Sequence, residues 1–215
     1  MLFANREAAA RLLAARLARY RGQNPLVLAI PRGAVPMGRI LAEELSGELD
    51  LVLVRKLGAP GNPELAVGSV SETGEIVVHP WAWEAGLSQP YVEAEARRQL
   101  EVIRDRRQRY TPGKPPADPA GRVVIVLDDG VATGATMLAA LELARAKKPR
   151  RLLAATPVAP RDTVEKLARA ADEVVCLASP EPFLAVGCFY DDFSEVTDAE
   201  AVAALADPER VPAAS

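Results

Sequence analysis

Short, continuous runs of apolar residues alternate with longer stretches in which apolar positions recur every three or four residues, the rhythm of buried strands separated by helices. A helix is predicted from about Asn5 to Tyr20. The run Pro25-Leu26-Val27-Leu28-Ala29-Ile30 follows, bounded by proline and glycine as a buried strand would be. Pro31-Arg32-Gly33-Ala34 reads as a turn, Met37 to Leu45 as a helix and Asp50-Leu51-Val52-Leu53-Val54 as a second strand, together a βαβ unit. The strand runs are continuous rather than alternating, which suits parallel strands covered on both faces. From Gly58 to His79 the pattern changes to alternating Val among Gly, Pro, Asn and Ser, with a hairpin turn expected at Glu72-Thr73-Gly74-Glu75. A long charged helix is predicted from Gln89 to Tyr110, ended by Thr111-Pro112-Gly113-Lys114-Pro115-Pro116. The earlier rhythm then resumes, with strands at Val123 to Leu127, Arg151 to Thr156 and Glu173 to Leu177 and helices at Ala135 to Ala146 and Asp162 to Ala170. Right-handed crossovers would assemble these into an α/β fold, one parallel twisted sheet flanked by helices.

Composition narrows the function classes. With 215 residues, about half of them apolar, the chain can bury one substantial core. A single domain is expected, with residues 58–121 as a flap and helical insert and 180–215 as a C-terminal hood and tail. A formal charge of −3 argues against a nucleic-acid surface, which needs concentrated Lys and Arg. No stretch approaches the roughly 20 apolar residues of a membrane span, and the opening residues lack a signal-peptide pattern, so a soluble cytoplasmic protein is expected. Cys176 and Cys188 are too few for a disulfide framework, and their spacing matches no metal site. His79, the only histidine, reads as a structural hairpin residue. Arg97, Arg98, Arg104, Arg106, Arg107 and Arg109 lie among Glu93, Glu95, Glu101 and Asp105 at pairing distances, the pattern of a salt-bridged solvent face.

The chemistry is concentrated in Val123-Val124-Ile125-Val126-Leu127-Asp128-Asp129-Gly130-Val131-Ala132-Thr133-Gly134-Ala135-Thr136. A strand delivers two carboxylates to the carboxyl edge of the sheet, and the turn after it exposes backbone N–H groups at a helix N-terminus, the makings of a phosphate cradle. Gly134 lets the main chain approach an anion, and the Thr133 and Thr136 hydroxyls add donors. Adjacent carboxylates suit a pair of sugar hydroxyls.

This segment resembles the signature by which type I phosphoribosyltransferases bind 5-phosphoribosyl 1-pyrophosphate (PRPP). The resemblance implies that Asp128 and Asp129 hold the ribose 2- and 3-hydroxyls, partly through hydrated Mg²⁺, and serve as catalytic residues. It assigns the 5-phosphate to the loop formed by Gly130, Val131, Ala132, Thr133, Gly134, Ala135 and Thr136. Gly130 stands where the family usually has a bulky apolar residue. Ile30-Pro31-Arg32-Gly33-Ala34 resembles the family's pyrophosphate loop, which makes Arg32, Gly33 and Ala34 PRPP contacts. Val54-Arg55-Lys56 resembles the Arg-Lys dipeptide of orotate- and adenine-type members, in which the lysine reaches pyrophosphate, which makes Lys56 a catalytic residue and Arg55 a PRPP contact. The stretch from Pro182 to Asp191 is similar to the purine-salvage pattern Phe-Val-Val-Gly-Tyr-x-x-Asp, with Phe183 as the base platform, Tyr190 as a further base contact and Asp191 as a metal or base contact, a match that the neighbouring Asp192 makes equally well. One extra residue separates Phe183 from Gly187. The resemblance covers residues 25–57 and 122–192.

The implied activity is Mg²⁺-dependent transfer of the phosphoribosyl group from PRPP to a nitrogen base with release of pyrophosphate, in the manner of purine salvage. PRPP and the base are then the partners, without nucleic acid or membrane, and subunit pairing near the site makes a homodimer possible. A PRPP-sensing regulator on the same fold is the alternative, although a first strand near Pro25 leaves no room for an N-terminal winged helix. A Rossmann-type binder fails on specifics, because the chain has neither Gly-x-Gly-x-x-Gly after the first strand nor a Walker A sequence.

Overall fold

The computed structural model describes residues 1–206; the last nine residues of the expected tail, 207–215, lie outside them. In chain order the elements are α1 (Arg6–Arg16), β1 (Leu26–Ala29), α2 (Ala34–Leu45), β2 (Glu48–Leu51), β3 (Val54–Ala59), β4 (Asn62–Ser71), β5 (Ile76–Val78), α3 (Pro80–Glu84), α4 (Gln89–Tyr110), β6 (Val123–Leu127), α5 (Ala135–Ala146), β7 (Arg151–Val158), α6 (Arg161–Ala170), β8 (Glu173–Ala178) and α7 (Asp198–Leu205). Five strands form a parallel sheet in the order β2-β1-β6-β7-β8, and β3, β4 and β5 form a separate antiparallel sheet. The expected α/β class, a parallel twisted sheet flanked by helices, is what the chain adopts.

Continuous apolarity in the central strands has a direct cause. Every residue of β6 is buried, and successive side chains alternate between two cores. Val123, Ile125 and Leu127 join Leu13, Met37, Leu41 and Leu45 on the α1 and α2 face. Val124 and Val126 meet Met137, Leu141 and Leu167 on the α5 and α6 face. Each such large side chain withdrawn from water contributes about 1.5–3 kcal/mol, so a polar replacement at either face of β6 would be costly.

The run from Asp50 to Val54 serves two sheets rather than one. β2 ends at Leu51, the Val52 N–H still donates to the Ala29 carbonyl at 3.1 Å, and the chain then leaves to pair β3 with β4. The hairpin turn falls at Glu72–Glu75 as expected, where the Ser71 N–H reaches the Glu75 carbonyl at 2.9 Å. α7 opens with a reciprocal cap between Thr197 and Glu200, a Thr-x-x-Glu signal within the expected hood.

One expectation needs correcting. The arginines of α4 do not all face solvent: Arg107 is 9% exposed, and its guanidinium binds Asp50 of β2 at 2.5 Å and both Glu72 oxygens at 2.5 and 2.6 Å. Buried charges need such partners, and these tie α4 and the hairpin turn to the edge of the main sheet. Arg109 with Asp105 does form a helix-surface pair, whereas the Glu95 that Arg98 meets is itself buried. No helix among the described residues is long and apolar enough to cross a membrane.

Candidate functional site

β1 and β6 are parallel neighbours, so their carboxyl ends lie side by side, and the chain runs outward to opposite edges of the sheet from this pair. Open α/β sheets bind ligands at such a reversal, in the crevice beyond the strand ends. The loop after β1 carries Pro31, Arg32 and Gly33 into α2, with a cis peptide between Pro31 and Arg32. The loop after β6 carries Asp128, Asp129 and the turn into α5.

These two loops touch. A side-chain carbon built on Gly33 would stand 1.8 Å from Asp129 Oδ2 and 2.6 Å from its Cγ, so the glycine main chain lies directly against the carboxylate. Gly33 has an ordinary helical φ of −58°, and the close approach, not backbone freedom, is what requires glycine. Ala34 is buried as the first residue of α2. The Arg32 side chain turns to the C-terminal segment, where it pairs with Glu195 and lies 3.7 Å from Asp198.

The acidic pair is firmly set. Asp128 Oδ1 accepts the Asp129 N–H at 2.9 Å, and the Asp128 N–H donates to the Ala155 carbonyl of β7 at 3.1 Å. Burial, and after it the charge of Asp129, pushes the Asp128 carboxyl well above its ordinary value, while Arg6 pulls the other way. Asp129 receives Arg6 on Oδ2 and the Tyr190 hydroxyl on its backbone carbonyl at 2.6 Å. Tyr190 is 2% exposed, and burial raises its phenol. It lies under Asp129 as a support and presents no open ring face to a base.

Past the carboxylates, the turn has a pinned inner side and an open outer side. The Val131 N–H donates to the Val158 carbonyl at 2.9 Å, and the buried Thr163 hydroxyl donates to the Ala132 carbonyl at 2.8 Å. Gly134 takes a left-handed φ of +82° at the cap of α5, a conformation that favours glycine. Ala132, Thr133, Ala135 and Thr136 are exposed, and the first N–H groups of α5 point where a helix binds anions. Gly130 is explained by its surroundings: a carbon added there would meet Val186 Cγ1 at 2.0 Å. A branched side chain from the C-terminal segment thus fills the space that a bulky residue at 130 would take.

Arg55 and Lys56 lie on β3, in the hairpin sheet, where Arg55 Nε donates to Gln99 at 2.9 Å. Both line a cavity of about 420 Å³ between the hairpin and α5, together with Ser69, His79, Ala135 and Thr136. The outer end of the turn therefore opens on a cavity with basic side chains opposite. Phe183 packs against Phe189 with ring centres 5.0 Å apart, and Asp191 is exposed, its N–H donating to the Phe3 carbonyl at 2.9 Å. Arg6, Val186 and Thr163 are site residues that sequence reasoning passed over.

The profile of the family described as phosphoribosyl transferase domain matches residues 1–189. Two curated proteins of Mycobacterium tuberculosis, from strains CDC 1551 / Oshkosh and ATCC 25618 / H37Rv, bear phosphoribosyl transferase as a provisional name. Each is 42% identical to this chain over 205 residues, a match that covers 95% of this chain and 46% of theirs. The chain thus spans about half the length of the curated relatives it matches. The crystal structure of TT1426 from Thermus thermophilus aligns with a TM-score of 0.87 at 49% identity, over 95% of this chain and 98% of that one.

Proposed function

The chain belongs to the phosphoribosyl transferase domain family, and from that premise we propose that it moves the 5-phosphoribosyl group of PRPP to a nitrogen base, releasing pyrophosphate. The observation that carries this reading is the contact between Gly33 and the Asp129 carboxylate, which joins the pyrophosphate-type loop to the acidic pair at one point of the sheet edge. Asp128 and Asp129 hold the ribose hydroxyls. The turn from Gly130 to Thr136 holds the 5-phosphate with N–H groups and the Thr133 and Thr136 hydroxyls. The main chain of Arg32, Gly33 and Ala34 meets the pyrophosphate. Residues 58–121 act as a flap that brings Arg55 and Lys56 toward the phosphates, and the segment from residue 180 onward is the hood.

Bond breaking at the anomeric carbon develops positive charge on the ribose ring, as in glycoside hydrolysis, and the neighbouring carboxylates stabilise it without acting as nucleophiles. Catalysis is then positioning plus electrostatics. Two adjacent carboxylates suit a hard cation but are too few to enclose one, and no group of three or more His, Cys, Asp or Glu placed to hold a metal occurs among the described residues. Mg²⁺ carried in with PRPP would be held by Asp128 and Asp129, would keep several of its waters, and would supply positive charge to the pyrophosphate oxygens. The acceptor is a purine-like base stacked at Phe183, as in salvage, with Asp191 at its edge. The protein works in the cytoplasm, as a homodimer. The test is pyrophosphate release from PRPP and Mg²⁺ across a panel of purines, pyrimidines and small amines. Release with one class of base supports transfer, whereas tight PRPP binding without release for any acceptor favours a PRPP-sensing role.

A further inference from the structure

We propose that Arg6, at the start of α1, is a positioning residue for the sugar-binding carboxylates, holding Asp129 in its working orientation. The proposal rests on the phosphoribosyl transfer reading above. Arg6 Nε and Nη2 both reach Asp129 Oδ2 at 2.8 Å, and Nη1 donates to the Ser194 carbonyl at 2.7 Å. Its guanidinium carbon lies 3.8 Å from the ring centre of Phe193, and Nε is 3.2 Å from where a Gly33 side chain would begin. One planar cation therefore touches the acidic pair, the pyrophosphate-type loop and the C-terminal segment at once. The two side chains are only 14% and 16% exposed, so water screens the pair weakly.

Local helix energetics do not explain an arginine at this position. Asn5 caps α1 by accepting the Ala8 N–H at 2.9 Å, which makes Arg6 the first residue of the helix, where the macrodipole disfavours a cation. A residue that runs against a local rule points to a task elsewhere, and the task visible here is Asp129. The segment before it is fixed as well. Leu2 and Phe3 N–H groups donate to the Phe189 carbonyl at 2.9 and 3.0 Å, and those of Asp191 and Asp192 donate back to Phe3 and Ala4, each at 2.9 Å. Both guanidinium contacts fall on Oδ2, so Oδ1 keeps its lone pairs for a sugar hydroxyl. Stacking, forked bonding and a third anchor are properties of guanidinium that an ammonium does not combine.

The experiment measures PRPP binding by calorimetry, in the presence of Mg²⁺, for the full chain and for Arg6→Met, Arg6→Lys, Asp129→Asn and the double variant Arg6→Met/Asp129→Asn. Arg6→Met keeps the apolar stem, and its affinity is expected to fall roughly 10- to 100-fold, the scale on which outer partners of a ligating group act. Arg6→Lys is expected to recover only a small part of that loss. In the Asp129→Asn background, Arg6→Met is expected to cost nothing further, because it acts through Asp129. Unchanged binding in Arg6→Met, full recovery in Arg6→Lys, or losses that add in the double variant would each overturn the proposal. If the parent chain binds no PRPP, the transfer reading fails by itself, and the contact is then judged from melting temperatures of the same four variants. A double variant that melts higher than the sum of the single shifts supports the Arg6–Asp129 coupling, and additive shifts overturn it.

Discussion

Replacing Gly33 with alanine perturbs the junction of the two loops with a single methyl group. Its carbon would start 1.8 Å from Asp129 Oδ2, and ordinary contact begins near 3.4 Å, so the carboxylate has to retreat by about 1.6 Å. It cannot retreat freely, because Arg6 holds Oδ2 at 2.8 Å and Tyr190 holds the Asp129 carbonyl at 2.6 Å. A misplacement of about 1 Å at a positioned group costs on the order of 100-fold in rate. The expected loss in kcat/KM for PRPP is therefore about 100-fold or more, equivalent to about 2.7 kcal/mol of transition-state stabilisation. Alanine is at ease at φ −58°, so the damage to the fold is overpacking alone, about 1–3 kcal/mol by urea unfolding. Steady-state pyrophosphate release and calorimetric PRPP affinity read the functional loss separately from the stability loss. A Gly33→Ala protein with parental PRPP affinity and turnover would refute the reasoning, since the methyl group would then have found room that the junction does not contain.

Other perturbations follow from the same contacts. Arg107→Met removes the cation shared by buried Asp50 and Glu72 and is expected to destabilise the protein by about 3–5 kcal/mol in urea; a loss under 1 kcal/mol would mean that the cluster is solvated. Gly130→Ala forces a methyl against Val186 and should cost about 1–3 kcal/mol, with most of it regained in Gly130→Ala/Val186→Ala; no regain would show that Val186 is not the obstacle. Partial burial pushes the Glu75 carboxyl up, but bonds from Lys147, Ser71 and Thr73 outweigh it and hold the group down at about 2, against an ordinary 4.5. Its folded value is depressed, so its stabilisation is present above pH 4.5 and is lost as pH falls toward 2. Glu75→Gln should therefore be less stable than the parent at pH 7, by about 1 kcal/mol after solvent screening, and the gap should narrow when urea unfolding is repeated at pH 4 and pH 3; a gap independent of pH would contradict the assignment.

What the sequence made legible was whatever local signals bound. α4, β6 and α5 begin and end where turn residues and periodicity put them, because Pro112, Gly113 and Gly134 act on their own neighbourhood. The acidic pair and the turn after it were legible as a strand-to-helix junction for the same reason, being one contiguous segment. β3 was not, because the Val54-Arg55-Lys56 run becomes a strand only by pairing with β4. Arg107 was read with carboxylates on its own helix, whereas its partner Asp50 is 57 positions away. Arg6 lies 123 positions from Asp129, and its one local trace is a cation where a helix prefers none. Val186 answers the missing side chain of Gly130 by filling space, and periodicity carries no record of such complementarity.

The claim on which the rest depends is that the carboxylate pair and the turn after it hold PRPP. Titrating PRPP with Mg²⁺ into the full chain, and then into Asp128→Asn/Asp129→Asn, tests it in a calorimeter with no acceptor needed. Saturable one-site heat for the parent, lost or weakened by orders of magnitude in the double variant, is the expected result. Equal binding by both proteins, or none by the parent, would contradict the account.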